Sequence, residues 1–564
     1  MRKHVPLVAA LLALGLAPAW HAQAIEPASP VKAVRTGPSP DSAGVGIAVP
    51  ARDQRVSPRQ VRDLAVAFVY PPADNLHAVL DKMAEAKVHR AQIVASWTGL
   101  CSQPDECDWS HLDHYFEEAE RRGITTAVHI NSTPDWVHPD LVDTVPSYDE
   151  RIWYPPTRTA EELAHFESFV TTLATRYRGQ VDSYEIWNEE NWRDFYKPVE
   201  DPADYAKLLR AGYLAVKGAD PDASVVFGGT TRIDPGFVRE VYAALRTYPD
   251  AQRHRNFFDV MGAHPYTDDR HPDNHDPAKV RENAAGGEFD DNFLGIDRLY
   301  SEMVRQGDGD KQIYLGEFAY SAVPTWMGEV PDDRRAFYLR RAFELAAQRP
   351  YVSGLAWFLW SEDEPDDSWH GWTLLEYPAI PTRSYQELAE LTGAVRPEPR
   401  PRLLLDDGVA RVDRVPGELQ RAELYLEGVQ VASGTRLPLA FSSPEPGTTQ
   451  LAQLVLYTRD GRTIHTAPEW LATGRQATQV SHPTVRATRN VEVSTGAPAR
   501  GPVRLQVTSS SGEHVMTVPL GVGRGRPARF DAVVAVDEPG TYRLSVHDVR
   551  GRTLADPAYL EVIP

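Results

Sequence analysis

Two hydrophobic patterns alternate over residues 61–395, and their alternation predicts the main fold of the chain. One is a short run of β-branched, aromatic and small apolar residues, as in buried strands, and the other is an amphipathic segment with helical periodicity. The predicted strands cover residues 63–70, 88–96, 125–131, 182–188, 224–229, 258–266, 312–318 and 354–360. The predicted helices between them include residues 77–86, 112–122, 160–177, 203–219 and 333–348.

Eight strands that alternate with helices in this way are typical of an α/β fold, the (β/α)8 TIM barrel. The alternative is a doubly wound open sheet, which usually carries a Gly-rich phosphate loop after its first strand. Residues 67–74, at the end of the first predicted strand, contain no glycine. The pattern therefore favours the barrel.

The pattern changes on both sides of the predicted barrel. Residues 25–60 are rich in Pro, Ser, Ala and Gly without helical periodicity, which predicts a linker. After a Pro-rich stretch near residue 400, the chain shows short alternating runs separated by turns. These runs predict a C-terminal all-β region of two β-sandwich modules, residues 403–473 and 474–564, with one larger sandwich as the alternative.

The N-terminus has the organisation of a secretory signal peptide. Arg2 and Lys3 precede an apolar stretch over residues 5–20, and Ala22-Gln23-Ala24 matches a small-x-small cleavage site. We therefore expect a signal peptide over residues 1–24 and a secreted or periplasmic protein. The alternative is an N-terminal anchor helix, for which the apolar run is short.

The two cysteines fit export. In an exported protein, Cys101 and Cys107 are expected to close a small disulfide loop, and two free thiols are the alternative.

Composition and charge restrict the class of ligand. The 564 residues, 42% hydrophobic and 24% charged, predict a soluble protein of several domains. A net charge of −20 argues against a nucleic-acid partner and an anionic membrane surface, because both need clustered Lys and Arg. A neutral ligand fits this charge better. After the N-terminal stretch we find no segment apolar enough to span a membrane.

The ends of the fourth and seventh predicted strands carry the candidate chemistry. The fourth ends in Trp187-Asn188-Glu189, and the seventh ends in Gly316-Glu317-Phe318. Barrel enzymes place their chemistry at the carboxyl ends of their strands, so the two Glu residues are expected to face each other across the barrel mouth. Cleavage of a glycosidic bond needs such a carboxyl pair. For each Glu alone, a structural salt bridge is the alternative.

Other polar residues interrupt or end predicted strands. Arg90 is an unusual charge inside a strand-like run, and a buried Arg needs an anionic partner such as an ionised Glu317. His264 and Tyr266 end the sixth strand, from which Tyr266 is expected to hydrogen-bond Glu317 and His264 a sugar hydroxyl. A helix partner for Arg90 and a core position for His264 are the alternatives.

Tryptophans also cluster near the strand ends. Sugar rings stack on aromatic planes, although a single Trp is more often part of a core. Trp360 is the predicted platform beneath the reactive sugar, and Trp136 is a further candidate for substrate contact. Trp187 and Trp357 are equally compatible with a structural role.

Metal and cofactor motifs are weak in this sequence. His271 and His275 lie in a segment rich in Pro, Asp and Asn, which is better interpreted as a surface loop than as a metal site. We find no HExxH motif, EF-hand, phosphate loop or dinucleotide fingerprint, and no serine-nucleophile elbow. We therefore predict neither a metal nor a cofactor.

Taken together, these motifs resemble those of the clan A glycoside hydrolases. The residues that carry the resemblance are YEIWNEEN at 184–191, YLGEF at 314–318, HPY at 264–266, Arg90 and Trp360. The chain is most similar to family 39 and its neighbours, which include β-xylosidases, iduronidases and bacterial exopolysaccharide glycosidases. The resemblance covers the predicted barrel.

The resemblance implies a role for each matching residue. Glu189 would be the general acid/base and Glu317 the nucleophile, with Asn188 as a donor to the sugar 2-hydroxyl. Arg90 and Tyr266 would support Glu317. The implied reaction is hydrolysis by double displacement with retention, for which the carboxyl groups should lie ~5–5.5 Å apart.

One position departs from the family pattern. Where family members commonly have Pro after the acid/base, this chain has Glu190. A second carboxylate there would either raise the pKa of Glu189 by repulsion or point to solvent, and Glu190 is the alternative acid.

Two other functions are compatible with the same motifs. A saccharide-binding or matrix protein would keep the scaffold without catalysis. A transglycosylase would use the same residues and differ in its products.

Overall fold

The computed structural model describes most of the chain beyond its N-terminus. The described residues are 44–69, 75–104, 106–282, 288–362, 369–397, 399–406, 408–446, 448–474, 476–487, 489–496, 499–524 and 528–564. The predicted signal peptide and residues 25–43 of the predicted linker lie outside them. Among the helices of the described residues, none is long and apolar enough to cross a membrane.

Eight parallel strands form a closed barrel, which confirms the predicted fold class. In chain order, β1 to β8 are Ala65–Phe68, Arg90–Ser96, Thr125–Asn131, Val181–Asn188, Ser224–Thr231, Met261–His264, Ile313–Phe318 and Val352–Trp357. The ring closes where β8 pairs with β1, with Leu355 opposite Ala65. The closure excludes the open-sheet alternative.

A helix follows each barrel strand. In chain order, α1 to α8 are Leu76–Glu85, Ser110–Arg121, Ala160–Arg176, Pro202–Ala219, Pro235–Leu245, Ile296–Arg305, Asp332–Ala347 and Arg383–Leu391. Local sequence explains their boundaries, and α3 is an example. The Thr159 side chain accepts a hydrogen bond from the Glu162 backbone, which begins the helix with a capping box. Phe166, Val170 and Leu173, at helical spacing, are then buried in the core.

Short elements decorate the barrel. Further helical turns span Pro58–Leu64, Trp97–Leu100, Pro139–Thr144, Tyr148–Arg151, Arg255–Phe257, Pro277–Lys279 and Phe293–Gly295. Small two-stranded sheets pair Cys101–Gln103 with Glu106–Cys107, Val280–Glu282 with Glu288–Asp290, and Leu375–Glu376 with Ile380–Pro381. Cys101 and Cys107 form a disulfide that closes the first of these hairpins.

The predicted linker is wrong for its described part, because Gly44–Val49 is a strand. It pairs antiparallel with Arg529–Val536 near the C-terminus. The glycines of this strand allow close packing. A Cβ atom on Gly46 would lie 2.4 Å from the Val518 side chain. Val45 and Ile47 in the same strand are buried.

The described residues of the C-terminal region are all-β, as predicted, and their strands lie in four sheets. Residues 403–473 contribute the strands Leu403–Asp406, Val409–Val412, Leu419–Leu426, Val429–Gly434, Leu439–Ala440, Thr449–Thr458, Thr463–His465 and Glu469–Ala472. The later residues contribute Thr478–Val480, Thr484–Arg486, Val491–Gly496, Arg500–Ser509, His514–Arg524, Arg529–Val536, Gly540–Asp548 and Ala558–Ile563.

The β region packs directly against the outer helices of the barrel. Glu423 accepts a hydrogen bond from Arg334 on α7 at 3.0 Å. His465 Nε2 lies 3.0 Å from Glu387 Oε1 on α8. Both carboxylates are buried, and the two contacts join the β region to α7 and α8 on the outside of the barrel.

Candidate active site

Two consecutive residues at the end of β4 reach the barrel mouth because the strand is interrupted there. In a regular strand, Asn188 and Glu189 would point to opposite faces. Trp187 and Glu189 instead have left-handed backbones, with φ of 75° and 47°. Trp187 is fixed by its buried indole, whose Nε1 donates to the Phe195 carbonyl at 2.8 Å. Asn188 and Glu189 therefore both line the same cavity.

The carboxyl groups of Glu189 and Glu317 meet around one imidazole. His264, the last residue of β6, places Nδ1 3.1 Å from Glu189 Oε1 and 3.9 Å from Glu317 Oε2. One oxygen of each carboxyl group and one nitrogen of His264 all lie within 4.8 Å of one another. The nearest oxygens of Glu189 and Glu317 are therefore close enough for the two carboxyl groups to act on one reacting centre.

Tyr266 supports Glu317 directly. Its hydroxyl donates a hydrogen bond to Glu317 Oε2 at 3.0 Å. Burial raises the pKa of Glu317 to about 7, while His264 and the Tyr266 hydrogen bond oppose this increase. Glu317 therefore changes its ionisation close to neutral pH.

His264 is an imidazolium rather than the sugar-binding residue that we predicted. It is completely buried and lies outside the cavity wall. Burial lowers its pKa, but Glu317, Glu185 and Glu189 together hold that pKa well above 6.5. Glu185 lies on the far side of the ring, with Oε1 3.7 Å from His264 Nε2. Although burial opposes it, His129 and His264 lower the pKa of Glu185, which stays ionised.

Two adjacent glycines on β5 make room for this network. A Cβ atom on Gly229 would come within 2.1 Å of His264 Nε2. A Cβ atom on Gly228 would come within 2.4 Å of Glu190 Oε2. Glycine at both positions is therefore a packing requirement of the buried polar groups beside β5.

Glu190 neither points to solvent nor faces the cavity. It is 0% exposed, and its two carboxyl oxygens have no hydrogen-bond partner among the described residues. Burial raises its pKa to about 8, so it is neutral at pH 7. A neutral Glu190 does not repel Glu189, and it has no access to the cavity as the alternative acid.

The two carboxyl groups open into a cavity of about 550 Å³ with aromatic walls. The aromatic side chains of this wall include Trp153, Trp192, Trp326, Phe358, Trp369 and Trp372. Asn188 also lines it, and its Oδ1 has no hydrogen-bond partner among the described residues. An apolar wall with a few convergent polar groups is typical of a small-molecule site.

Arg90 does not support Glu317, which corrects the prediction. It is the first residue of β2 and lies at the opposite, amino-terminal end of the barrel. Its Nη1 donates to the Ser353 carbonyl at 2.6 Å, and Nη2 lies 3.8 Å from Asp182 Oδ2. The prediction failed because the strand begins at Arg90, so the charge is not inside it.

Trp360 and Trp136 do not line the cavity either. Trp360 is 0% exposed and packs edge-on against Tyr385 on α8. Trp136 donates from Nε1 to the Cys101 carbonyl at 3.1 Å and so stabilises the disulfide hairpin. The wall positions expected for Trp360 are occupied instead by Phe358, Trp369 and Trp372.

Several site residues lay within predicted strands without being recognised. Glu185 and His129 are charged or titratable residues inside otherwise apolar runs, and this contrast is a usable signal. Arg232, Trp192 and Trp326 belong to loops, where hydrophobic periodicity gives no information about direction.

Glu189, His264 and Glu317 are also the one group of metal-type ligands close enough to hold an ion in the described part of the chain. We interpret them as a carboxylate pair bridged by an imidazolium. His264 supplies a hydrogen-bond donor to Glu189, and Tyr266 supplies one to Glu317.

No protein-family model and no curated protein matches the chain significantly. Among solved structures, it is similar to a family 39 glycoside hydrolase from Bacteroides cellulosilyticus WH2, with 16% identity, a TM-score of 0.46, and coverage of 85% of this chain and 82% of that one. It is also similar to a monomeric β-xylosidase from Caulobacter crescentus CB15, with 14% identity, a TM-score of 0.44, and coverage of 87% and 98%. Likenesses at this level assign no function, which has to rest on the site itself.

Substituting Tyr266 by Phe should raise the pKa of Glu317 above its value of about 7, by roughly one pH unit, because the variant loses a hydrogen bond to the ionised carboxylate. The measurement is an infrared titration of the carboxyl bands, with the Glu317→Gln spectrum subtracted. Tyr320→Phe is the matched control, since that hydroxyl contacts Thr267 and Arg270 rather than a carboxylate. An unchanged or lower pKa in Tyr266→Phe would contradict this interpretation.

Proposed function

We propose that this protein is a retaining glycoside hydrolase that acts on a polysaccharide or oligosaccharide. The observation that carries the proposal is the pair of carboxyl groups, Glu189 and Glu317, with oxygens within 4.8 Å of each other at one cavity. Retaining glycosidases have carboxyl groups about 5–5.5 Å apart, whereas inverting enzymes separate them by roughly 6.5–9.5 Å to admit a water molecule. The short distance supports the retaining reaction.

In the proposed first step, ionised Glu317 attacks the anomeric carbon and forms a glycosyl-enzyme ester. Protonated Glu189 gives its proton to the leaving oxygen as the glycosidic bond breaks. In the second step, Glu189 removes a proton from water, whose oxygen attacks the anomeric carbon and releases Glu317. Each residue thus returns to its starting state, and one water molecule is consumed.

The buried imidazolium explains how the pair can exchange charge. His264 lies between the two carboxyl groups, so it stabilises the negative charge on Glu317 before attack and on Glu189 after proton donation. Tyr266 favours ionised Glu317 at the start of the cycle. Charge therefore moves between two sites that a fixed cation already stabilises.

The cavity wall suits a saccharide. Aromatic planes pack against the C–H faces of sugar rings, and the Asn188 amide oxygen, which has no partner among the described residues, can accept from a hydroxyl group. A volume of about 550 Å³ accommodates a small number of sugar rings.

Replacing either carboxyl group should remove activity, in ways that differ. Glu317→Gln should lower kcat/KM by roughly 10⁴-fold or more on every substrate, because the nucleophile is lost. Glu189→Gln should lower it by roughly 10²–10⁴-fold on glycans. On a dinitrophenyl glycoside, whose leaving group needs no proton, the loss should be much smaller. Activity is first located with the wild type on a glycan panel.

Glu190→Gln is the matched control for these variants. Glu190 is neutral at pH 7 and isolated from the cavity, so its amide should keep activity within about tenfold of wild type. Unchanged cleavage by Glu317→Gln would refute the nucleophile. A loss in Glu190→Gln as large as that in Glu189→Gln would refute the assignment of the acid. A wild type that binds glycans and cleaves none would indicate a binding protein.

The first product released should have the anomeric configuration of the substrate. Two successive displacements invert the anomeric carbon twice. Proton NMR of the anomeric signals during the first minutes of hydrolysis measures the configuration before mutarotation. Initial formation of the opposite anomer would show a single displacement by water and contradict the role of Glu317.

We also propose that the chain is exported and that its signal peptide is removed. The proposal is supported by the Ala22-Gln23-Ala24 motif and by the disulfide between Cys101 and Cys107, since disulfides persist in oxidising compartments. Intact-mass measurement of the protein from its periplasm or culture medium should give a chain that begins at Ile25. A cytosolic protein that retains residues 1–24 would contradict export.

A further inference from the structure

A second cavity of about 550 Å³ adjoins the first. The two share four wall residues, Trp192, Thr231, Arg232 and Trp326. A chain of sugars bound at the carboxyl pair can therefore extend along these four residues into the second cavity.

The shared wall contains an unusually exposed aromatic ring. Trp326 is 75% exposed, and its ring centroid lies 6.1 Å from that of Trp192. An indole with so much apolar surface in water is a favourable platform for a ligand ring. Because it borders both cavities, a sugar on Trp326 would be a near neighbour of the reacting sugar.

The second cavity is lined by cations with unused hydrogen-bonding capacity. Lys279 is half-buried, and within the described residues its ammonium group has neither an ion pair nor a hydrogen bond. Arg232 is 8% exposed and forms ion pairs with Asp268 and Asp291 through Nη2 and Nε. Its Nη1 is buried and has no hydrogen-bond partner among the described residues.

Arg232 also has an unusual backbone. Its φ of 58° lies in the left-handed region, which non-glycine residues rarely adopt. The end of β6 holds this backbone in place, since Arg232 and His264 form an isolated antiparallel β-bridge. The side chain is thereby fixed at the border between the two cavities.

Among the described side chains that line the second cavity, positive charges exceed negative charges by one. Its described walls carry three cations, Arg232, Lys279 and Arg281, against two carboxylates, Asp268 and Asp291. Arg281 is paired with Asp291 at 2.6 Å, which leaves Lys279 as the cation that has no ion pair with any described residue. A locally positive cavity is unexpected in a chain with a net charge of −20.

We propose that the second cavity is a subsite for a sugar residue that carries an acidic group. The ring would pack on Trp326, and the acidic group would pair with Lys279 and reach the guanidinium of Arg232. This inference rests on the proposed glycosidase function and specifies its substrate as an anionic glycan. It replaces the neutral ligand that the net charge of the whole chain suggested. Carboxylate and sulfate groups share the necessary chemistry.

Binding to the Glu317→Gln variant tests the proposal without turnover. The probes are tetrasaccharides of β-1,4-glucan, β-1,3-glucan and β-1,4-mannan, each in neutral, C6-oxidised and 6-O-sulfated form, measured by titration calorimetry. On at least one backbone, an acidic form should bind roughly tenfold more tightly than the neutral form, because a charge-assisted contact is gained. Preference for the oxidised or the sulfated form would identify the acidic group.

A second substitution, added to Glu317→Gln, locates the preference. Lys279→Met should reduce binding of the acidic probe to the level of the neutral probe, while binding of the neutral probe stays unchanged. Lys279→Arg should restore the preference, which separates loss of charge from loss of fold. Lys82→Met is the matched control, because Lys82 lies on α1 and lines neither cavity.

The proposal is overturned if no acidic probe is preferred, including the case in which no probe binds, or if the preference survives Lys279→Met. Failure of the proposed function is distinguishable from this result. A wild type that binds acidic probes through Lys279 and cleaves no glycan would refute the hydrolase and leave the subsite intact. Cleavage of glycans without any preference for acidic forms would refute the subsite alone.

Discussion

Buried carboxyl groups of like charge cannot all be ionised in one dry space, and this constraint organises the barrel mouth. Glu185, Glu189 and Glu317 surround His264, which is the cation among them, and Glu190 is buried nearby. The imidazolium offsets part of the negative charge, and burial keeps Glu190 neutral. The pair that faces the cavity thus lies beside a fixed cation, which stabilises negative charge on either carboxyl group. The geometry of the site follows from this balance, because every member must lie within reach of the ring.

The barrel supplies the frame for that balance, but only by departing from regular strand geometry. β4 and β7 are separated by β5 and β6 in the ring, so their ends face each other across the mouth. Left-handed residues at the end of β4 then turn Glu189 toward His264. Gly228 and Gly229 on β5 clear the space that the ring and Glu190 occupy. The closed barrel thus sets the distance between the two carboxyl groups, and the irregular end of β4 sets the direction of the Glu189 side chain.

The fold and the carboxyl pair could be predicted from the sequence because both depend on strand periodicity and strand ends. The eight strands were located to within a few residues, and Glu189 and Glu317 end two of them. Arg90 was misplaced because a shift of two residues in the start of β2 moves its side chain from the barrel interior to the opposite rim. Trp360 and the loop residue Arg232 depend on how the chain turns after a strand, which is set by tertiary packing and not by local pattern. The strand at residues 44–49 was not predicted for a related reason, since the strand with which it pairs lies more than 480 residues later, at 531–536.

That partnership between the two ends of the chain affects how the protein must be made. Gly44 pairs with Val536, roughly 490 residues later, so this sheet has one of the longest loop closures that the chain allows. The edge strand of this sheet is synthesised long before its partner, and it has to remain unpaired until nearly the whole polypeptide has emerged. A protein trimmed at its N-terminus beyond residue 49 would keep every residue of the carboxyl pair and its network, yet expose a new edge of this sheet. Exposed sheet edges pair with other chains, so such a truncation would aggregate before it lost its active-site geometry.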